Sequence, residues 1–148
     1  MAVHILAVLA YREGERVTSD FLAESITTNP VVIRRLLLAL QRAKLVETRK
    51  GAGHGTCLAR PASRISLAQV YRAVEAEEPF ALPPRAPNRE CPVGQCVQDA
   101  LEEVFVAAEA AMQREFARTT LASVMRKIQS NCREARPTVK SRAAGLSV

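Results

Sequence analysis

The first part of the chain alternates short apolar helical patterns with turns. A nearly continuous apolar run over residues 2–12 predicts a buried first helix, which the turn at Gly14 ends. Thr18 or Ser19 is suited to cap a second helix over residues 20–26, because either hydroxyl can accept a hydrogen bond from the next turn. The side chains expected to face inward on that helix are Phe21, Leu22 and Ile26.

A third helix is predicted from Asn29 to about Ala43, with Asn29 as its N-cap and a proline at its first position. With about 100° between successive residues, one face collects the aliphatic side chains Ile33, Leu36, Leu37 and Leu40. The opposite face carries Val31, Arg35, Leu38 and Arg42, with Arg34 beside them. A solvated face rarely mixes valine and leucine with arginines. A face that enters the DNA major groove can do so, because apolar groups contact the thymine methyl.

A basic β-hairpin is predicted next. Residues 45–50 and 56–60 flank a tip in which Gly51, Gly53 and Gly55 permit positive φ angles. Between residues 29 and 64 the only acid is Glu47, whereas eight residues are basic: Arg34, Arg35, Arg42, Lys44, Arg49, Lys50, Arg60 and Arg64. A helix for a groove, followed by a basic hairpin for the flanking phosphates, is what a winged helix-turn-helix requires.

The second half of the chain is predicted to be helical on either side of a proline-rich break. Five prolines between residues 79 and 95 predict a loop. A long helix is then expected from about Val97 to Arg118, with an apolar stripe at spacings of three and four: Val97, Leu101, Val104, Phe105, Ala108 and Met112. A short last helix is expected after Thr119 or Thr120, with Leu121, Val124, Met125 and Ile128 inward.

These patterns predict a mainly α fold, a winged helix-turn-helix with a two-stranded β wing and a long C-terminal dimerisation helix. The DNA-binding domain is expected over residues 1–78 and a proline-rich, cysteine-containing sensor loop over 79–96. The dimerisation helix and a short final helix follow over 97–131, with a basic tail over 132–148. The stripe on the long helix is larger than one small winged domain can cover, so we expect a homodimer.

Composition narrows the function. Apolar residues make up 48% of the chain but aromatic residues only 4%, so the core must be aliphatic. The net charge of +6 suits a polyanionic partner. No run approaches the roughly 20 apolar residues of a membrane span, so a cytoplasmic protein without a membrane partner is expected. Because no catalytic dyad, nucleotide loop or Ser-His-Asp set is present, no enzymatic activity is expected.

Two of the four cysteines, Cys91 and Cys96, lie close together near the start of the predicted long helix. A helix N-terminus favours a thiolate, so the pair is predicted to sense redox state. The alternative is that both are inert small side chains. Zinc would need two further ligands, and no histidine lies nearby in the sequence, so no metal site is predicted.

Five motifs in order resemble the Rrf-two (Rrf2) family of bacterial transcription regulators over residues 1 to about 128. They are the Asn29-Pro30 helix start, Leu45-Val46, the wing Arg49-Lys50-Gly51-x-Gly53-x-Gly55, Ala59-Arg60-Pro61 with Ile65-Ser66-Leu67, and Cys91-Pro92-Val93-Gly94 before a long helix that ends at Thr119-Thr120-Leu121-Ala122. The Cys-Pro-Val-Gly variant resembles the YwnA-type subgroup. One departure is Ala52, which stands where the family commonly has proline at the wing tip.

The resemblance implies a homodimer, paired through the long helix, that binds a roughly palindromic operator in double-stranded DNA. Groove-facing positions then fall to Val31, Val32, Arg34 and Arg35, and Lys50 takes the basic position of the wing near the minor groove. The predicted DNA-contacting set also includes Asn29, Arg42 and Arg49. We expect a regulator, with repression as the expected sign, that reads redox or electrophile stress through cysteine.

Two alternatives remain open at this stage. The first is a sensor of the same family that carries an iron–sulfur cluster. Cluster-binding members have three closely spaced cysteines here, and Leu101, Glu102 and Glu103 stand where the third would lie, so no cofactor is expected. The second is a thiol-redox or protein-interaction module that does not bind DNA.

Overall fold

A computed structural model describes residues 1–74, 88 and 90–134. The chain is mainly helical, with one two-stranded antiparallel sheet. The elements are α1 (Ala2–Tyr11), α2 (Ser19–Ile26), α3 (Pro30–Arg42), β1 (Val46–Arg49), β2 (Gly55–Leu58), a 3₁₀ turn (Ala62–Arg64), α4 (Leu67–Val74), α5 (Pro92–Arg118) and α6 (Leu121–Glu134). Within the described ranges, no helix is both long enough and apolar enough to cross a membrane.

Side-chain caps set the starts of α2 and α3. The Thr18 hydroxyl accepts a hydrogen bond from the backbone N–H of Phe21 at 3.2 Å, so Thr18 is the N-cap of α2. The Asn29 side-chain oxygen accepts from the backbone N–H of Val31 at 2.8 Å, and Pro30 opens α3. Each cap satisfies an amide that the helix itself leaves unpaired. The predicted cap of α3 is confirmed.

The core is aliphatic, as the composition predicted, and it lies under α3. Its largest fully buried aliphatic side chains come from the helices, the start of the wing and the residue after the 3₁₀ turn: Ile5, Leu6, Leu22, Ile33, Leu40, Leu45, Val46, Ile65, Val70 and Leu121. Burial of each such side chain contributes roughly 1.5–3 kcal/mol relative to exposure. Leu121, the first residue of α6, therefore packs in the same core as the buried side chains of α1.

The wing has a fixed register and a third backbone partner. Its strands pair Val46 with Leu58 and Arg49 with Gly55. Val17, in the loop before α2, exchanges two backbone hydrogen bonds with Thr56 of β2, at 2.9 and 2.8 Å. The hairpin is therefore tied, close to its tip, to the segment before α2. Together with the wing, α2 and α3 confirm the predicted winged helix-turn-helix.

The long helix starts earlier than predicted. It begins at Pro92 with Cys91 as N-cap, five residues before the expected start at Val97. Proline is well suited to the first helical position, because its missing N–H is one that the helix leaves unpaired there anyway. Pro92 therefore starts α5 instead of extending the loop. The last helix is also longer than predicted, since it continues to Glu134.

Two side chains predicted to face inward are exposed. Phe21 is 37% exposed, and the Arg12 guanidinium lies 4.3 Å above its ring, which gives the ring a cation–π partner at the surface. Ile128 is 39% exposed on α6. Both residues line one surface pocket instead of the core, which the local apolar pattern could not distinguish. Residues 75–87, 89 and 135–148, which include much of the predicted loop and tail, lie outside the described residues.

Gly55 gives a stability test with a matched control. Its φ is +133°, and an added Cβ would lie 2.9 Å from the Arg16 backbone carbon. Gly53 also has a positive φ, +73°, but open space around it. We expect Gly55→Ala to lower the free energy of unfolding by about 2–4 kcal/mol and Gly53→Ala by about 1 kcal/mol. Urea denaturation measures both, and equal decreases would contradict the close approach at Gly55.

Candidate nucleic-acid interface

The two faces of α3 differ in burial as the helical pattern predicted. Ile33 and Leu40 are 0% exposed and hold the inner face in the core. On the outer face, Val31 is 65% exposed and Leu38 is 51% exposed. Exposed apolar side chains of this size are costly on a simple solvated surface, but they are suited to contact base edges in a major groove.

The basic residues predicted to contact DNA are all exposed. Those on α3 are Arg34, Arg35 and Arg42, and those on the wing are Arg49 and Lys50. Val32 is 40% exposed beside them. Asn29 is exposed too, but its side-chain oxygen is already engaged as the α3 cap. Its side-chain amide is the group left to donate to a phosphate.

An open cleft of about 460 Å³ separates α3 from the wing. Three of the predicted DNA-contacting residues line it, namely Arg34, Arg49 and Lys50. Ser19 and Asp20, at the start of α2, line it as well. The structure thus gathers cations from two elements around one cleft, whereas Asn29, Val31, Val32, Arg35 and Arg42 are not among its lining residues.

The contacts that hold this cleft in shape were not predicted from the sequence. Besides the backbone pairing of Val17 with Thr56, the hydroxyls of Thr48 and Thr56 lie 3.0 Å apart across the hairpin. Thr56 is 1% exposed whereas Thr48 is exposed, so this hydrogen bond is partly buried. The available signal was Val17, a single apolar residue between polar neighbours, but its partner lies 39 positions away in the chain.

A second contact that was not predicted joins α3 to α2. The Nε of Arg34 donates to the Ser19 hydroxyl at 3.4 Å, and its Nη2 lies 3.4 Å from an Asp20 carboxylate oxygen. Asp20 therefore places a negative charge at the edge of an otherwise basic surface.

The predicted sensor cysteines lie at the start of α5. Cys91 is the N-cap and Cys96 lies within the helix, and both are exposed. Five residues of α-helix advance about 7.5 Å along the axis, whereas a disulfide requires Cα atoms within about 7 Å. A Cys91–Cys96 bond within one chain would therefore require the first turns of α5 to unwind.

The predicted dimerisation stripe follows α5 from those cysteines. In the described chain α5 has no buried residue, although Leu101 and Val104, at 39% and 59% exposure, are large apolar side chains. The far end of the helix is held in the fold, because the Phe116 ring packs on Tyr71 of α4 with centroids 5.6 Å apart. The rest of the stripe comprises Val97, Phe105, Ala108 and Met112, which are partly exposed.

The donor set does not fit an iron or iron–sulfur site held by one chain. Cys91 and Cys96 provide two neighbouring thiols, fewer than the four ligands that a cluster or a tetrahedral metal requires. Within residues 1–74, 88 and 90–134, no three histidine, cysteine or acidic side chains are grouped as metal ligands.

A capped helix with an exposed basic and apolar face, beside an anchored basic hairpin, defines a winged-helix DNA-binding protein. Residues 1–127 match the model of the Rrf2 family, described as an iron-dependent transcriptional regulator. The chain therefore belongs to the Rrf2 family of transcriptional regulators.

Three similar proteins agree with this family and fold. YwnA of Bacillus subtilis (strain 168), assigned as an HTH-type transcriptional regulator, is 38% identical over 125 residues, which are 84% of this chain and 92% of YwnA. T. potens IscR superposes with a TM-score of 0.67 at 20% identity, covering 88% of this chain and 84% of IscR. An oxidised form of Staphylococcus aureus CymR gives 0.62 at 22% identity, covering 84% of this chain and 89% of CymR. The last two are similar in fold.

Proposed function

We propose that this protein is a homodimeric repressor that binds a palindromic operator in the cytoplasm and releases it when Cys91 is oxidised. The observation that carries the proposal is the exposed basic and apolar face of α3 beside the wing. The opposite face of α3 packs into the core through Ile33, Leu37 and Leu40. In this proposal residues 1–78 bind DNA, residues 79–96 form the sensor segment, and residues 97–131 pair the subunits.

In the proposed complex, α3 enters the major groove with its first turns foremost. Val31 and Val32 contact thymine methyls, and Arg34 and Arg35 reach base edges or phosphates. Arg42 and Asn29 contact the DNA backbone at either end of the helix, while Arg49 and Lys50 carry the wing to the flanking groove. Phosphate contacts supply affinity and salt dependence, whereas base-edge contacts supply sequence preference.

Dimerisation follows from the apolar stripe of α5. The helix of 27 residues is about 40 Å long, and Leu101 and Val104 of its stripe are exposed in the described chain. An isologous pairing of two such helices would bury Leu101 and Val104 and place two α3 helices on one side. Two half-sites one DNA turn apart, about 34 Å, then define a palindromic operator.

The redox step begins at Cys91, which caps the helix that joins the subunits. Hydrogen peroxide attacked by the thiolate gives a sulfenic acid and hydroxide, and a second thiol can then displace water to form a disulfide. A disulfide with Cys96 would change the first turns of α5, since those turns must unwind to bring the two cysteines together. The crystallisation of the fold relative CymR in an oxidised form supports this type of control. A changed separation of the two α3 helices would misfit both half-sites.

The long helix connects the proposed sensor to the DNA-binding domain mechanically. Its last turn is held by the Tyr71–Phe116 ring contact, and the chain after it pairs with the segment before α4, where Leu121 donates to the Ile65 carbonyl at 2.8 Å. Its first turn carries Cys91 at the N-cap, away from that anchor. In the proposed dimer, a change at the first turn alters the packing of the two stripes. The anchored end then transmits the change to the winged domain as a rigid-body shift.

The salt dependence of DNA binding tests the interface. Lys50→Ala should weaken binding and lower the slope of log affinity against log salt by about 0.9 for each phosphate that Lys50 neutralises, twice per dimer. Lys127→Ala, which removes the same charge from the exposed side of α6, is the matched control and should leave the slope unchanged. Titrations of labelled duplex from upstream of the gene at several salt concentrations give the slopes. Unchanged binding after combined Arg34, Arg35 and Lys50→Ala substitution would refute the interface.

A charge introduced on α5 tests the dimer. Val104→Asp should weaken dimerisation at least about 100-fold, because pairing would bury two carboxylates. Val106 is 63% exposed but lies off the stripe, so Val106→Asp should leave the dimer intact. Sedimentation at micromolar concentrations distinguishes the two variants. A dimeric Val104→Asp protein would show that the subunits do not pair through this stripe.

Substitution of Cys91 tests the sensor. Cys91→Ser should retain the affinity of the reduced protein for DNA but abolish the decrease in binding after hydrogen peroxide treatment. Cys57 lies on the wing strand β2, so Cys57→Ser should respond to peroxide as the unmodified protein does. Binding is measured before oxidation, after it and after reduction with dithiothreitol. A full peroxide response in Cys91→Ser would exclude Cys91 as the sensor.

A further inference from the structure

The Arg34 side chain is attached to α2 through one edge of its guanidinium group. Nε and Nη2 lie on the same edge, and they contact Ser19 and Asp20 of α2 at 3.4 Å each. The Arg34 and Asp20 side chains are 61% and 73% exposed, so the pair lies at the surface. Contacts of this length in water tighten when a partner surface excludes solvent.

The second edge of the guanidinium stays available. It consists of Nη1 and the outer N–H of Nη2, and the described residues offer Nη1 no hydrogen-bond partner. In the major groove a guanine presents two acceptors, O6 and N7, which match two parallel N–H donors. Arg34 also lines the cleft between α3 and the wing, where DNA is proposed to lie.

We infer that Asp20, with Ser19, is a positioning residue that holds Arg34 ready to read a guanine in each half-site. The inference rests on the proposed function, because it requires α3 to enter the major groove. Fixing one edge of the guanidinium reduces the rotamer freedom that the side chain would otherwise lose on binding. It also orients the free edge, so that a bidentate contact forms with one base and not with its alternatives.

The negative charge of Asp20 also weakens sequence-independent binding to DNA. A carboxylate beside the phosphates repels DNA of any sequence, while its effect through Arg34 favours DNA with guanine at one position. Asp20 is thus expected to lower non-specific affinity and to raise specific affinity. A residue that acted as a charge alone would change both affinities in one direction.

The experiment compares Asp20→Asn with a variant of equal charge change. A duplex library with randomised central positions is first selected with the unmodified full-length protein, and affinities are then measured for the selected duplex and for a scrambled duplex. Asp20→Asn should weaken binding to the selected duplex about fivefold or more and strengthen binding to the scrambled one. Glu24→Gln, on the same helix but without a contact to Arg34, should shift both affinities together. Exposed ion pairs contribute little to folding, so thermal melts of both variants should match the unmodified protein.

Arg34→Lys provides an independent arm, since it keeps the charge but lacks the two-donor fork. Arg34→Lys should lose the guanine preference as Asp20→Asn does. The Asp20→Asn/Arg34→Lys double variant should lose little more affinity for the selected duplex than either single variant, because both substitutions act through one contact. If Asp20→Asn strengthens both affinities equally, or if its effect adds fully to that of Arg34→Lys, the inference is overturned. If the unmodified protein selects no preferred sequence, the proposed function itself fails.

Discussion

The backbone pairing of Val17 with Thr56 is the contact on which the geometry of the DNA-facing surface depends. Two hydrogen bonds at 2.9 and 2.8 Å join the loop before α2 to the wing strand β2 close to the wing tip. Because Gly55 has no Cβ, the Arg16 backbone can approach the hairpin at this point. A hairpin joined to the fold through its own strands alone could pivot. Here α2, α3 and the wing form one unit, and the cleft between them has a defined width.

Stability and recognition use opposite faces of the same helix. The inner face of α3 contributes Ile33, Leu37 and Leu40 to an aliphatic core that also receives Leu121 from α6. This burial holds the helix axis in place, and of the outer-face side chains Arg34 is also held by Ser19 and Asp20 of α2. Its arginines and apolar side chains are therefore available to a partner, and their substitution is expected to affect binding far more than folding.

Local features were predictable from sequence because they depend on neighbours within one or two turns. The Asn29 cap, the two faces of α3 and the positive φ angles of the wing glycines all follow from helical periodicity or from the stereochemistry of single residues. The ordered motifs were enough to recognise the family. The predicted start of α5 was wrong because Pro92 is compatible with either a loop or a first helical turn.

Tertiary structure decided which distant residues meet. The sequence alone determined that α3 has a basic, partly apolar outer face, since side-chain directions on a helix are set by its 3.6-residue period. It could not reveal that Val17 pairs with Thr56, that Asp20 lies beside Arg34, or that Arg12 covers an exposed Phe21. These contacts depend on how the elements pack against the shared core, and no local pattern of the chain carries that information.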